Sequence, residues 1–82
     1  MATILRVYGL RVVIYSNDHE PPHVHVIGAG TETKIALGQN GEYPTVMSSR
    51  GLSLVLLATA LTEIDRNQAL LMQRWRDVHG DG

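Results

Sequence analysis

The sequence predicts an α+β domain, an antiparallel sheet of three to four N-terminal strands with two C-terminal helices packed on one face. Three observations carry this expectation. Residues 3–37 are rich in β-branched side chains and punctuated by Gly9, Gly28 and Gly30, the pattern of short strands joined by turns. Beyond Ser48 no proline occurs, and apolar residues recur at helical spacing. The chain has 82 residues, 44% hydrophobic and 18% charged, with no repeat, linker or low-complexity tract, which predicts a single domain over 1–82.

Strands are expected at 4–7, 10–15, 23–27 and 33–37. Tyr8-Gly9 and Gly28-Ala29-Gly30 fit hairpin turns, because glycine accepts the positive φ that such turns demand. Residues 38–43 (GQNGEY) read as a loop, and Pro44 pushes the residue before it away from helix. Ser48-Ser49 offers an N-cap for a helix over about 50–61. In it Leu52, Val55, Leu56 and Thr59 share one face, and Leu54, Leu57, Ala58 and Leu61 another. A helix apolar nearly all round needs cover on more than one side. In so small a domain that predicts a protein partner or a homodimer, docked through the segment from Leu52 to Leu61.

A second helix is expected, capped by Thr62 or Asp65 and ending at His79-Gly80, with Ile64, Leu71, Trp75 and Val78 as its inner stripe. Arg66, Arg74 and Arg76 are left for its outer surface, as a basic patch or a solvated face. The expected core is Val12, Ile14, Val24, Val26, Ile35, Leu56, Leu71 and Trp75. Val13 is almost as apolar as its neighbours, so the facing of its strand is open.

A formal net charge of −1 gives no overall electrostatic footprint for nucleic acid, though it leaves room for a local basic face. The absence of cysteine rules out a disulfide framework and a thiolate zinc site, and fits a reducing, cytoplasmic location. MATILRVYG lacks the apolar region and cleavage site of a signal peptide, and the longest apolar run, 52–61, is far short of the ~20 residues that span a bilayer. No membrane role is expected. GAGTETK, residues 28–34, faintly resembles a phosphate loop but lacks the G-K-[ST] ending and reads as a hairpin.

Chemistry concentrates in SNDHEPPHVHV, residues 16–26, which holds three of the four histidines. Strand alternation sends Val24 and Val26 to the helix side and His23 and His25 to the other, solvent-facing side, within reach of Lys34 if the next strand pairs through the glycine turn. Pro21 and Pro22 hold the approach to the strand rigid. One reading is metal binding, with His23 and His25 joined by His19 and by Glu20 or Asp18, and zinc or another divalent ion as cofactor. A second is acid–base chemistry without a cofactor: His23 and His25 as acid and base, and Lys34 or Arg50 holding a phosphate, as metal-free cleavage of RNA requires. A third is structural, with a stiff loop, a turn closed by Asn17 and Asp18, and half-exposed histidines.

YSNDHEPPHVHV, with TILR near the start and LLMQRWRDVHG at the end, resembles the bacterial family catalogued as domain of unknown function 4160. The resemblance covers nearly the whole chain. Its E-P-P-H-x-H-V core falls on Glu20, Pro21, Pro22, His23, His25 and Val26, with Trp75 and His79 as secondary matches. Genes of that family often look paired with those of another small family, so the resemblance implies a component of a toxin–antitoxin-like two-gene module that acts through a protein partner and touches RNA. The alternative is a non-catalytic metal-binding or regulatory interaction module, such as an antitoxin.

Overall fold

The computed structural model describes residues 2–80. Five strands form one antiparallel meander in the order β1-β2-β3-β4-β5: β1 Ala2–Val7, β2 Leu10–Ile14, β3 His23–Gly28, β4 Thr31–Ala36 and β5 Thr45–Arg50. Helices α1 (Leu54–Arg66) and α2 (Gln68–His79) follow. The α+β class and the four expected strands are therefore present. A fifth strand adds to them.

Alternation sets which side chains meet the helices. Val12, Ile14, Val24, Val26 and Ile35 project from one sheet face and close a core with Ala60 and Ile64 of α1 and Leu71 and Trp75 of α2. The open facing of β2 resolves in favour of Val12 and Ile14, while Val13 is buried on the other face opposite His25. The first hairpin is tight because Tyr8 and Gly9 both take positive φ, 48° and 80°, the requirement of a two-residue turn that follows strand twist.

The expected helix start at Ser48-Ser49 is displaced. Those serines belong to β5, where Ser49 Oγ lies 2.8 Å from Thr33 Oγ1 on β4. Pairing with β4 offers 45–50 a ladder of backbone bonds that its mixed composition did not advertise. Gly51 then turns the chain at φ 80°, so close to Gly30 that a β-carbon would sit 2.9 Å from that residue's carbonyl oxygen. The helix begins only after this turn, capped by Ser53, whose Oγ accepts from the Leu56 N–H at 3.2 Å.

The boundary between the helices also moves. Neither Thr62 nor Asp65 caps α2; Thr62 donates back to the Ala58 carbonyl within α1, and Asn67 is the junction. Ile64 thus belongs to α1. Val78 is exposed and Leu56 only half-buried, so neither joins the core as expected. The apolar side chains of α1 divide between core and surface: Ala60 and Ile64 are buried, while Leu54 and Val55 stand 83% and 76% exposed.

Helix α1 lies closest to β1 and α2 to β2. Leu71 is fully buried and Leu54 is not. Leu71→Ala should therefore cost about 2–5 kcal/mol, and Leu54→Ala within about 0.5 kcal/mol of zero, in urea unfolding of the isolated chain. Equal shifts of the two midpoints would contradict this packing.

Candidate metal centre

Strand β3 sends His23 and His25 to the sheet face opposite Val24 and Val26, as alternation requires, yet they are only 4% and 5% exposed. The expectation of solvent-facing rings is corrected by the loop at 15–22, which folds back over this face. A turn shapes that loop. The Asp18 N–H donates to the Tyr15 carbonyl at 3.1 Å, and the Tyr15 N–H donates to Asp18 Oδ2 at 3.1 Å. At the far end of the loop, the Pro22 carbonyl accepts from the Leu37 N–H at 2.9 Å. Asp18 is thereby lowered onto the histidine pair.

The two imidazoles are held by different partners. His23 Nδ1 lies 2.9 Å from the Pro21 carbonyl, which can only accept, so this nitrogen carries a proton, and in the neutral ring Nε2 keeps its lone pair. That Nε2 is buried without a hydrogen-bond partner and sits 3.4 Å from Asp18 Oδ1. His25 Nδ1 lies 3.1 Å from Glu32 Oε2, and its Nε2 lies 3.1 Å from Asp18 Oδ1. One ligand atom from each of Asp18, His23 and His25 lies within 4.8 Å of the others.

Burial works to raise the Asp18 carboxyl above its ordinary value of 3.8. The hydrogen bonds from His25 and the Tyr15 N–H, with the charges of His25 and His23, outweigh burial and hold it below that value.

The rings extend into a chain of aromatic contacts. Tyr15 meets His25 edge-on at 4.5 Å between centroids, His25 meets His23 at 5.1 Å, and His23 meets Trp75 at 5.3 Å. Trp75 in turn stacks on His79 at 3.8 Å. Trp75 and His79, distant in sequence, therefore belong to the surroundings of the same centre. A cleft of about 770 Å³ adjoins it, lined by Asp18, Glu20, Gln39, Gln68, Arg76 and His79 among others.

The structure brings His23 and His25 together with Asp18. His19 and Glu20, the other candidate ligands, are exposed on the cleft wall and outside the close trio. Lys34 lies directly opposite His25 on β4, and Arg50 opposite Glu32 on β5; with Ser48 they line a shallow groove on the same sheet face. Glu32 was not singled out by the sequence reading. Its only signal was its place seven residues after His25 across a glycine turn, close enough to meet the ring once the hairpin register is fixed.

A family model described as a domain of unknown function (DUF4160) matches residues 9–76, a span that contains the loop, both histidines and Trp75. No curated protein and no solved structure gives a match.

A carboxyl held low in the folded state stabilises the fold above its unfolded value and loses that contribution as pH falls through the folded value. The stability advantage of the native chain over Asp18→Asn should therefore persist above pH 3.8 and shrink as pH falls below it. Urea titrations in the presence of a chelator read this directly. An advantage that grows on acidification would contradict the sign.

Proposed function

The chain belongs to the DUF4160 family, and we propose that Asp18, His23 and His25 form a mononuclear divalent-metal centre facing the adjoining cleft. The observation that carries this reading is the pairing of the two Nε2 atoms with one carboxylate while each Nδ1 is already oriented by another acceptor. Metal-bound histidines commonly donate the second ring N–H to a carboxylate or a backbone carbonyl. Glu32 and the Pro21 carbonyl fill those two roles. A buried nitrogen with a free lone pair is costly without a partner, and a cation bound to His23 Nε2 would supply one.

The two edges that run from Asp18 are compatible with a shared ion. An ion about 2.1 Å from each ligand, as for zinc, has tetrahedral edges of about 3.4 Å. The Asp18 Oδ1 distances to His25 and His23 are 3.1 and 3.4 Å. A set of two nitrogens and one oxygen suits Zn²⁺, Fe²⁺, Co²⁺ or Ni²⁺ better than Ca²⁺ or Mg²⁺. Three protein ligands leave positions for water or a substrate oxygen, the arrangement of reactive rather than purely structural sites. The Asp18 side borders the cleft, so an incoming oxygen ligand would approach there.

This reading accounts for more of the site than a metal-free acid–base pair does. Both rings are buried, and both nitrogens of His25 already face carboxylates, which leaves little of that ring for a substrate proton. A second reading concerns the module role that the family resemblance implies. Exposed Leu54 and Val55 favour docking of a partner or a second copy through the start of α1. Sedimentation should then show a species larger than the monomer, reduced to monomer by Leu54→Lys with Val55→Lys; a concentrated monomer would remove that reading.

The metal reading is tested with tag-free, chelator-treated protein titrated with Zn²⁺ or Co²⁺. At a hundred times the dissociation constant the folded state gains about 2.7 kcal/mol, a rise of roughly 10–20 °C in Tm for a chain of this size. Co²⁺ should give visible absorption bands that vanish with His23→Ala or Asp18→Ala, and Glu32→Gln should weaken binding about 10- to 100-fold. No stabilisation by Zn²⁺, Fe²⁺, Co²⁺ or Ni²⁺ would refute the proposal.

A further inference from the structure

The face that carries the histidines also carries a row of charges the metal centre does not use. Pairing places Arg6 opposite Arg11, Arg11 opposite Ile27, Ile27 opposite Glu32, and Glu32 opposite Arg50. Directly opposed residues on neighbouring strands share a face, so this row crosses all five strands. Lys34 lies one step along β4 on the same side. Four of the chain's seven Lys and Arg residues thus occupy one face of a protein whose net charge is −1.

These cations are uncompensated. Among the described residues, none of Arg6, Arg11, Lys34 and Arg50 forms a salt bridge. Glu32 is the one acid that any strand contributes, and its carboxylate is turned to His25. Like charges directly opposite each other weaken a sheet. The Arg6–Arg11 pair therefore works against the fold, and an external anion would relieve that repulsion. Arg6 and Arg50 are exposed, and Arg11 and Lys34 are half-exposed.

We propose that this face binds the phosphate backbone of a single-stranded nucleic acid laid across the strands. Strand spacing of about 4.8 Å makes the row roughly 19 Å long, enough for several consecutive phosphates. The row runs perpendicular to the strands, where an acidic peptide would find no backbone partners; peptides that add to sheets run along an edge. A membrane surface is disfavoured because the row carries no exposed large apolar anchor, its one apolar member being half-buried Ile27. The row crosses the flat of a five-stranded sheet and so offers neither a protruding helix nor a two-stranded ribbon to enter a duplex groove. The inference stands without the metal centre, since none of the four cations is among its ligands.

The test is fluorescence anisotropy of labelled oligo-U and oligo-dT with the chelator-treated full chain, so that metal occupancy plays no part. Affinity should fall with salt along a log–log slope of about −3, the value for four phosphate contacts on a single strand. Arg11→Ala combined with Arg50→Ala should weaken binding at low salt by about tenfold or more and flatten the slope by about 1.4. Arg74→Ala on α2 should leave both unchanged. Circular dichroism melts verify folding, and Arg6→Ala and Lys34→Ala, tested singly, supply the same readout if the double variant unfolds. Absence of binding at low salt, an unaltered slope in the folded variants, or equal affinity for polyglutamate, duplex DNA or anionic phospholipid vesicles would overturn the proposal.

Discussion

His25 stands between two carboxylates, with Asp18 at 3.1 Å from one ring nitrogen and Glu32 at 3.1 Å from the other, on a strand buried on both sides. Removing His25 from water is tolerable because both of its ring nitrogens have a carboxylate partner, Asp18 largely buried and Glu32 44% exposed. The bridge joins three segments: Asp18 from the loop after β2, His25 from β3, and Glu32 from β4. It pins the 15–22 loop to the sheet face on which Val13, opposite His25, is fully buried. The core on the helix side needs none of this. The second face depends on it.

That dependence separates what could be read in the sequence from what could not. Period-two alternation is a local property, so the assignment of Val24 and Val26 to the core and of His23 and His25 to the opposite face was legible. Burial of the histidines was not, because the covering loop owes its position to a turn between Tyr15 and Asp18 and to the Leu37–Pro22 hydrogen bond. Glu32 enters the site through hairpin register, and no spacing rule along the chain singles it out. Strand β5 was hidden for a related reason: Thr-Val-Met-Ser-Ser-Arg carries a good helix-cap signal, but β4 offers it an open edge, and Gly51 delays the helix to Ser53. Local propensity is a weak prior where a long-range ladder is available.

The segments matched by the family resemblance meet in space. The E-P-P-H-x-H-V stretch supplies the imidazoles and the Pro21 carbonyl, and the distant Trp75 and His79 continue the contacts through His23. Trp75 has two surfaces to satisfy. One closes the hydrophobic core at the end of α2, and the other lies against the ring of His23. A large aromatic residue that bridges core and polar centre transmits the position of the helix to the histidine ring. Leu71, one turn earlier on α2, fixes that helix by burial alone.

Glu32 stands between the histidine cluster and the row of cations. Its carboxylate can orient His25 or neutralise Arg50, its direct neighbour across the β4–β5 pair, and the observed geometry commits it to His25. An imidazole that binds a cation through Nε2 becomes a stronger donor at Nδ1, which would strengthen that commitment and leave Arg50 still more in need of an anion. The reverse also holds as a matter of linkage: an anion on Arg50 removes the competing attraction on Glu32 and favours its bond to His25. A metal in the centre and a phosphate on the sheet would therefore support each other through one carboxylate, without any movement of the backbone. Were both proposals to hold, Glu32 would lie between the two sites, and such coupling would give a physical reason for a basic row and a histidine centre to lie on the same face.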